Sequence, residues 1–169
     1  MGVLQLKIRQ SCNLTVLTCM DFRLHGAHNL PKFIEQQFGD GVTYDVLTPP
    51  GACHPLLREG ESERQRILDH LSLSVSLHDP ETIVVIPHMN CGKYHASHSF
   101  FDPEDEIALL AKDARHSADL IVGRFPKATV RTFIANVDDR RTTALNEVPL
   151  RGAHTARTIG RSAITSSGD

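Results

Sequence analysis

Apolar positions fall into short β-branched runs, separated by longer stretches in which they recur every three or four residues. Leu14 to Thr18, then Val42, Tyr44 and Val46, then Thr82 to Ile86 and Thr129 to Ala135, predict four strands. Three helices are expected between them. Leu30, Phe33, Ile34 and Phe38 share one face after Pro31, and Gly39-Asp40-Gly41 stops that helix. Ser62-x-x-Gln65 has the form of a capping box, followed by Ile67, Leu68, Leu71 and Val75 until Asp79-Pro80 breaks the pattern. Asp102-Pro103 opens the third as cap and first position, with Ile107, Leu110, Ala111, Ala114, Ala118, Ile121 and Val122 as its apolar face and Gly123 as its stop. A polar turn, Asp138 to Arg141, leads to an expected edge strand over Leu145 to Val148.

Strand and helix therefore alternate, which predicts an α/β fold: a parallel four-stranded sheet flanked by helices, with an additional edge strand. Beyond Pro149 the chain is rich in Arg, Ser, Thr and Gly with few large apolar residues. The expectation is one domain over residues 1–148 and a flexible C-terminal tail over 149–169. No internal repeat is visible.

Composition adds limits rather than direction. A chain of 169 residues suits one domain with an adequate core, and 40% apolar with 22% charged residues is ordinary for a soluble protein. A formal net charge of −2 offers no electrostatic case for nucleic acid. With no apolar run long enough to span a membrane and no signal-peptide pattern, a cytoplasmic location with no membrane partner is expected. The four cysteines, Cys12, Cys19, Cys53 and Cys91, are then expected to be reduced thiols.

The chemistry concentrates in two runs, Thr18-Cys19-Met20-Asp21-Phe22-Arg23-Leu24 and Pro87-His88-Met89-Asn90-Cys91-Gly92-Lys93. Each follows a predicted buried strand, and parallel strands bring such ends side by side. Thiolate sulfur and imidazole nitrogen are the ligands zinc prefers, so Cys19, His88 and Cys91 supply three of four. Structural zinc sites fill all four places with protein ligands, whereas three is the catalytic pattern. Metal-assisted chemistry on water is the expected use. Asp21 lies two residues past Cys19, close to the fourth position, and Arg23 is placed to hold its carboxylate in a bidentate pair.

Cys19-x-Asp21-x-Arg23 with His88-x-x-Cys91-Gly92 resembles the signature of β-class carbonic anhydrases, in spacing within each run and in their separation. The resemblance covers about residues 11 to 148, strongly at the two runs and generally elsewhere. It implies a Zn2+ enzyme that reversibly hydrates carbon dioxide to bicarbonate and a proton through zinc-bound hydroxide. It also implies a homodimer or higher homo-oligomer, and an additional strand after the fourth. Asp21 and Arg23 would form the dyad that keeps the aspartate off the metal and lets it accept the hydrogen of the bound hydroxide; in some members the pair opens and the aspartate ligates. A backbone amide at Gly92 would help position substrate. Relatives commonly carry Arg-Asn-Ala-Gly after the second strand, and here Thr48-Pro49-Pro50-Gly51 keeps only the glycine. That departure bears on substrate preference and subunit contacts, and leaves two alternatives: a hydrolase of carbonyl sulfide or carbon disulfide on the same scaffold, or a non-catalytic zinc-binding protein.

The remaining candidates have plainer uses. Phe22, Phe33, Phe38 and Tyr94 are available as pocket walls, although aromatics are more often core. His54, His95 and His98 titrate near neutral pH and sit close in sequence to the two runs, with exposed loop positions expected. Cys12 and Cys53 lack metal spacing. Cys53 follows Gly51-Ala52 in the loop facing the site and is expected to be an inert thiol.

Overall fold

A computed structural model of the protein describes residues 11–26 and 28–150. Five strands form one sheet in the order β2-β1-β3-β4-β5. They are β1 (Leu14–Thr18), β2 (Tyr44–Leu47), β3 (Thr82–Ile86), β4 (Thr129–Val137) and β5 (Thr142–Glu147). The first four pair in parallel and β5 returns antiparallel to β4 through the Asp138 turn, so the expected parallel sheet with an extra edge strand is the one observed. β1 and most of β3 are buried on both faces, which accounts for their continuous rather than alternating apolar character.

Among the described residues there are five α-helices, α1 (Leu30–Phe38), α2 (His54–Arg58), α3 (Glu61–His78), α4 (Gly92–His95) and α5 (Pro103–Arg124), of which α1, α3 and α5 pack on the strands. Two of them, α2 and α4, are single short turns of helix without amphipathic repetition, and periodicity does not announce them. Leu30 and Ile34 anchor α1, and Gly39 ends it at φ +105°. α3 does not use the Ser62 capping box. It starts two residues earlier, at Glu61, with Gly60 at the cap position and φ +88°, because the chain turns directly out of α2. Glu61 and Glu63 then place negative charge in the first turn, where the helix dipole favours it.

α5 begins as expected, with the Asp102 carboxylate accepting from the Asp105 N–H at 2.9 Å. Its end and its buried face differ from expectation. Gly123 lies inside the helix, which continues to Arg124 and closes when the Phe125 N–H bonds to the Ile121 carbonyl at 2.7 Å. Ile107 is 44% exposed, and the buried stripe instead runs through Glu106, Leu110, Asp113, Ala114, Ser117, Ala118 and Ile121. Of the three polar residues in core positions there, Asp113 and Glu106 are met by partners on other elements, as described below, while the Ser117 hydroxyl has no partner among the described residues.

β5 starts at Thr142, three residues before the expected Leu145, and ends at Glu147, one before the expected Val148. Val148 remains attached through its N–H to the Thr132 carbonyl at 2.8 Å, and the Arg115 guanidinium donates to the Pro149 carbonyl at 3.1 Å. The remainder of the expected tail, residues 151–169, lies outside the described residues. Among the described residues no helix is long and apolar enough to cross a membrane.

Candidate metal centre

Parallel pairing brings the two chemical runs together. In the β1–β3 register Thr18 stands opposite Ile86, and the Thr18 hydroxyl donates to the Ile86 carbonyl at 2.9 Å, so both strands end level. Cys19 follows directly from β1. Past β3 the chain stays fastened to β4, with Met89 N–H to the Ala135 carbonyl and Ala135 N–H to the Pro87 carbonyl, both 2.9 Å. His88 is thereby held on the sheet. Asn90 then takes a left-handed conformation at φ +54°, a turn asparagine tolerates, and delivers Cys91 to the start of α4.

One ligand atom from each of Cys19, His88 and Cys91 lies within 4.8 Å of the other two, and all three residues are buried. A carbonyl oxygen can only accept, so the 2.9 Å contact of His88 Nδ1 with the Met89 carbonyl places the ring hydrogen on Nδ1. Nε2 is left as a bare lone pair, and this fully buried atom has no hydrogen-bond partner. An unsatisfied buried acceptor costs about 1–3 kcal/mol, and a cation bound there would remove that cost.

The adjacent Cys91 thiol holds the Cys19 thiol down at about 4 against the opposing effect of burial, with the Gly51 amide assisting. The same contact, with burial, pushes Cys91 up. The Gly51 N–H donates to Cys19 Sγ at 3.2 Å. Two sulfurs, one already anionic in character, and one bare imidazole nitrogen fit a borderline-soft divalent ion such as zinc.

Asp21 and Arg23 stand beside this group as a closed pair. Arg23 Nε donates to Asp21 Oδ1 at 2.8 Å and Arg23 Nη2 to Oδ2 at 2.7 Å, while the Arg23 backbone N–H also reaches Oδ1 at 3.0 Å. These donors hold the Asp21 carboxyl at about 2, below the ordinary carboxylate range, although partial burial opposes them. Asp21 Oδ2 is 3.9 Å from His88 Nε2. Arg23 Nη2 also donates to the Asn90 carbonyl at 3.0 Å, and the Thr142 hydroxyl donates to the Arg23 carbonyl at 3.0 Å. One guanidinium thus ties the first run to the second, and β5 holds its backbone.

Gly92 opens α4, and an added Cβ would meet nothing within 4 Å in this chain. Gly51 is the opposite case. Its φ is +77°, and an added Cβ would lie 2.9 Å from His54 Cβ and 3.0 Å from Lys93 Cγ, so only glycine lets the amide approach Cys19. Sequence reading kept Gly51 as a residual match and missed this contact; its signal was a glycine directly after two prolines in the loop facing the site.

Several other candidates lie elsewhere. Phe38 packs edge-on against Phe133, with Arg131 stacked over both rings, beside the start of the sheet rather than the ligand end. Phe22 is largely exposed. Tyr94 is buried, its hydroxyl donating to Asp113 at 3.0 Å and lying 3.3 Å from Cys53 Sγ. His54 is not an exposed loop residue: it is buried at the start of α2, edge-on to Tyr94, with Nδ1 3.2 Å from Glu59. His95 is half-exposed and its Nε2 is 3.2 Å from the buried Glu106 carboxylate, while His98 stacks on Phe100. Burial pushes the Cys53 thiol up to about 11, in keeping with an inert role.

Comparison with known proteins bears on the family and the fold. A family model described as "Putative carbonic anhydrase" matches residues 9–122. An uncharacterized protein of Rickettsia conorii is 27% identical over 137 residues, covering 79% of this chain and 72% of its own. Among solved structures, a β-carbonic anhydrase of Trichomonas vaginalis superposes with a TM-score of 0.53 at 18% identity, covering 88% of this chain and 90% of that one. A carbonic anhydrase of Streptococcus mutans gives 0.51 at 18%, covering 88% of each chain. A tetrameric β-carbonic anhydrase of Sordaria macrospora gives 0.51 at 10%, covering 82% and 81%.

Proposed function

The chain belongs to the β-class carbonic anhydrase family, and from that premise we propose that it catalyses the reversible hydration of carbon dioxide to bicarbonate and a proton. The observation that carries this reading is the buried, partnerless His88 Nε2 gathered with the sulfurs of Cys19 and Cys91 within 4.8 Å of one another. Cys19, His88 and Cys91 would hold Zn2+. When bound, that ion supplies Lewis acidity, lowering the pKa of water from ~15.7 to about 7 and so providing a nucleophile at neutral pH.

The chain's own residues do the rest. The Gly51 amide takes part of the negative charge on Cys19, a second-layer contact of the kind that orients metal ligands. Arg23 keeps Asp21 ionised and turned by two parallel hydrogen bonds. An ionised carboxylate only accepts, so Asp21 orients the attacking water by receiving its hydrogen. The amide of Gly92, at the mouth of α4, is the positioning donor for the developing bicarbonate oxygen. Carbon dioxide is small and uncharged, and the exposed Phe22 beside this pair offers an apolar approach. The catalytic assembly is a homo-oligomer, for which the tetrameric Sordaria macrospora enzyme is the support, and each subunit is one domain ending near residue 148.

The test is the initial rate of carbon dioxide hydration by stopped flow, across pH and alongside metal analysis. One zinc per chain at the Cys19 centre and a rate that rises with pH are expected. A zinc-loaded protein that releases hydrogen sulfide from carbonyl sulfide but leaves carbon dioxide unhydrated would overturn the substrate assignment.

A further inference from the structure

Cys12, Asp45 and His78 form a second group of ligating side chains, away from the Cys19 centre. Cys12 precedes β1, Asp45 is the second residue of β2, and His78 closes α3. One sulfur, one carboxylate oxygen and one ring nitrogen lie within 4.8 Å of one another, all on half-buried residues. The two groups sit at opposite ends of β1. Seven residues of extended chain separate Cys12 from Cys19, roughly 23 Å at ~3.3 Å per residue, so they share no ligand.

Backbone contacts hold the second group before any ion arrives. The Cys12 N–H donates to the His78 carbonyl at 3.1 Å, and the Asn13 N–H to the Thr43 carbonyl at 2.9 Å, locking the three segments in register. His78 Nδ1 and the Ser74 hydroxyl both donate to Asp45 Oδ2, at 2.7 and 2.6 Å, and Ser74 Oγ is 2.6 Å from the Thr15 hydroxyl. Among the described residues no hydrogen bond reaches Asp45 Oδ1. Asp45 and His78 also border a groove of about 630 Å³ along the β2 edge, which gives the group access to solvent.

A cysteine, a histidine and an aspartate can also form a nucleophilic triad, but this arrangement lacks its requirement. The Cys12 thiol donates to the Leu14 carbonyl at 3.1 Å rather than to His78, and burial, with the nearby Asp45 carboxylate, pushes it up. A thiol kept protonated is a poor nucleophile. A divalent cation changes that balance, because its charge offsets the carboxylate and stabilises the thiolate.

We propose that Cys12, Asp45 and His78 form a second binding site, for a thiolate-accepting divalent transition-metal ion of the zinc or cobalt(II) type. Binding breaks the S–H bond of Cys12, whose proton leaves to solvent, and forms bonds from the ion to sulfur, to an Asp45 oxygen and to one nitrogen of neutral His78. Ligands of charge −2 then neutralise the ion, and solvent completes its coordination.

Titration of the full-length, metal-stripped protein with Co2+, read by thiolate charge-transfer absorbance and by metal content after desalting, tests the site. The native sequence is expected to take up two equivalents with micromolar or tighter affinity. Cys12→Ser is expected to take one, with carbon dioxide hydration unchanged. The double variant Cys19→Ser/Cys91→Ser keeps one equivalent, bound through a single thiolate, whatever the fate of the hydration activity. One equivalent in the native sequence, or two in Cys12→Ser, overturns the proposal. Should the double variant fail to fold, maleimide labelling of Cys12 in the native sequence decides: Zn2+ is expected to slow it at least tenfold, and an unchanged rate rejects the site.

Discussion

At Cys19 a charge is buried in an apolar sheet end, and two neighbours share the cost: the Cys91 thiol and the Gly51 amide. Removing a ligand and removing a helper should therefore read differently. Cys19→Ser or His88→Ala is expected to lose most bound zinc, while Asp21→Asn keeps it and hydrates carbon dioxide poorly; full zinc stoichiometry in both ligand variants would reject the assignment. The two glycines separate in the same way. Gly51→Ala forces a left-handed alanine against His54 and Lys93, and should cost about 2 kcal/mol or more in urea unfolding. Gly92→Ala meets open space at a helix start, so its stability should stay within about 0.5 kcal/mol, and a loss of turnover there isolates the role of that position in catalysis. Asp21 also makes a pH prediction. Its folded value of about 2 lies below the ordinary 3.8, so the Arg23 pair contributes its full stability above about 3.8. That contribution is lost as pH falls through about 2, and urea midpoints of the native and Asp21→Asn proteins should converge over that window. The typed spacing of Cys19, Asp21, Arg23, His88 and Cys91 was legible in the sequence because ligand chemistry restricts residue identity. Cys12 was not, since its neighbours Asp45 and His78 arrive from two other elements and leave no spacing to read.

Among the elements, α5 is where hydrophobic patterning misleads most. Period-3.6 reading counts Ile107 as core and ignores Glu106, Asp113 and Ser117, yet those three are buried and Ile107 is not. For Asp113 the reason is lateral. Arg58 on α2 donates twice to Asp113, at 2.8 Å each, and Tyr94 on α4 donates once at 3.0 Å, so a carboxylate in the core joins three helices. Asp113→Ala leaves those donors unpaired and is expected to lower stability by about 1–3 kcal/mol in denaturant unfolding. Tyr94→Phe removes one contact of the set and should cost less, about 1 kcal/mol, with zinc stoichiometry unchanged. The strands behave differently. β1 and β3 match their predicted bounds because β-branched runs buried on both faces have little alternative use. α2 and α4 escape notice because five and four residues are too few to show a period.

For the molecule as a whole, a metal that binds only the folded chain raises its stability by mass action, by ~2.7 kcal/mol at a hundredfold excess over Kd. With about 2–4 °C per kcal/mol for a chain of this size, chelation should lower Tm by roughly 5–10 °C. Calorimetry with and without chelator checks this, and an unchanged Tm would mean that the folded state holds no ion. What the sequence determined by itself was the class of fold and the residues of the proposed first ligand set: strand and helix periods are local, and zinc chemistry admits few residue types. What only the tertiary structure decided was contact between residues distant in sequence. The Gly51 amide meets Cys19 across 32 positions, Arg23 reaches Asn90 across 67, and Cys12 meets His78 because three chain segments converge at one sheet edge. Such meetings depend on strand order and register, which packing of the complete chain selects and no local pattern encodes.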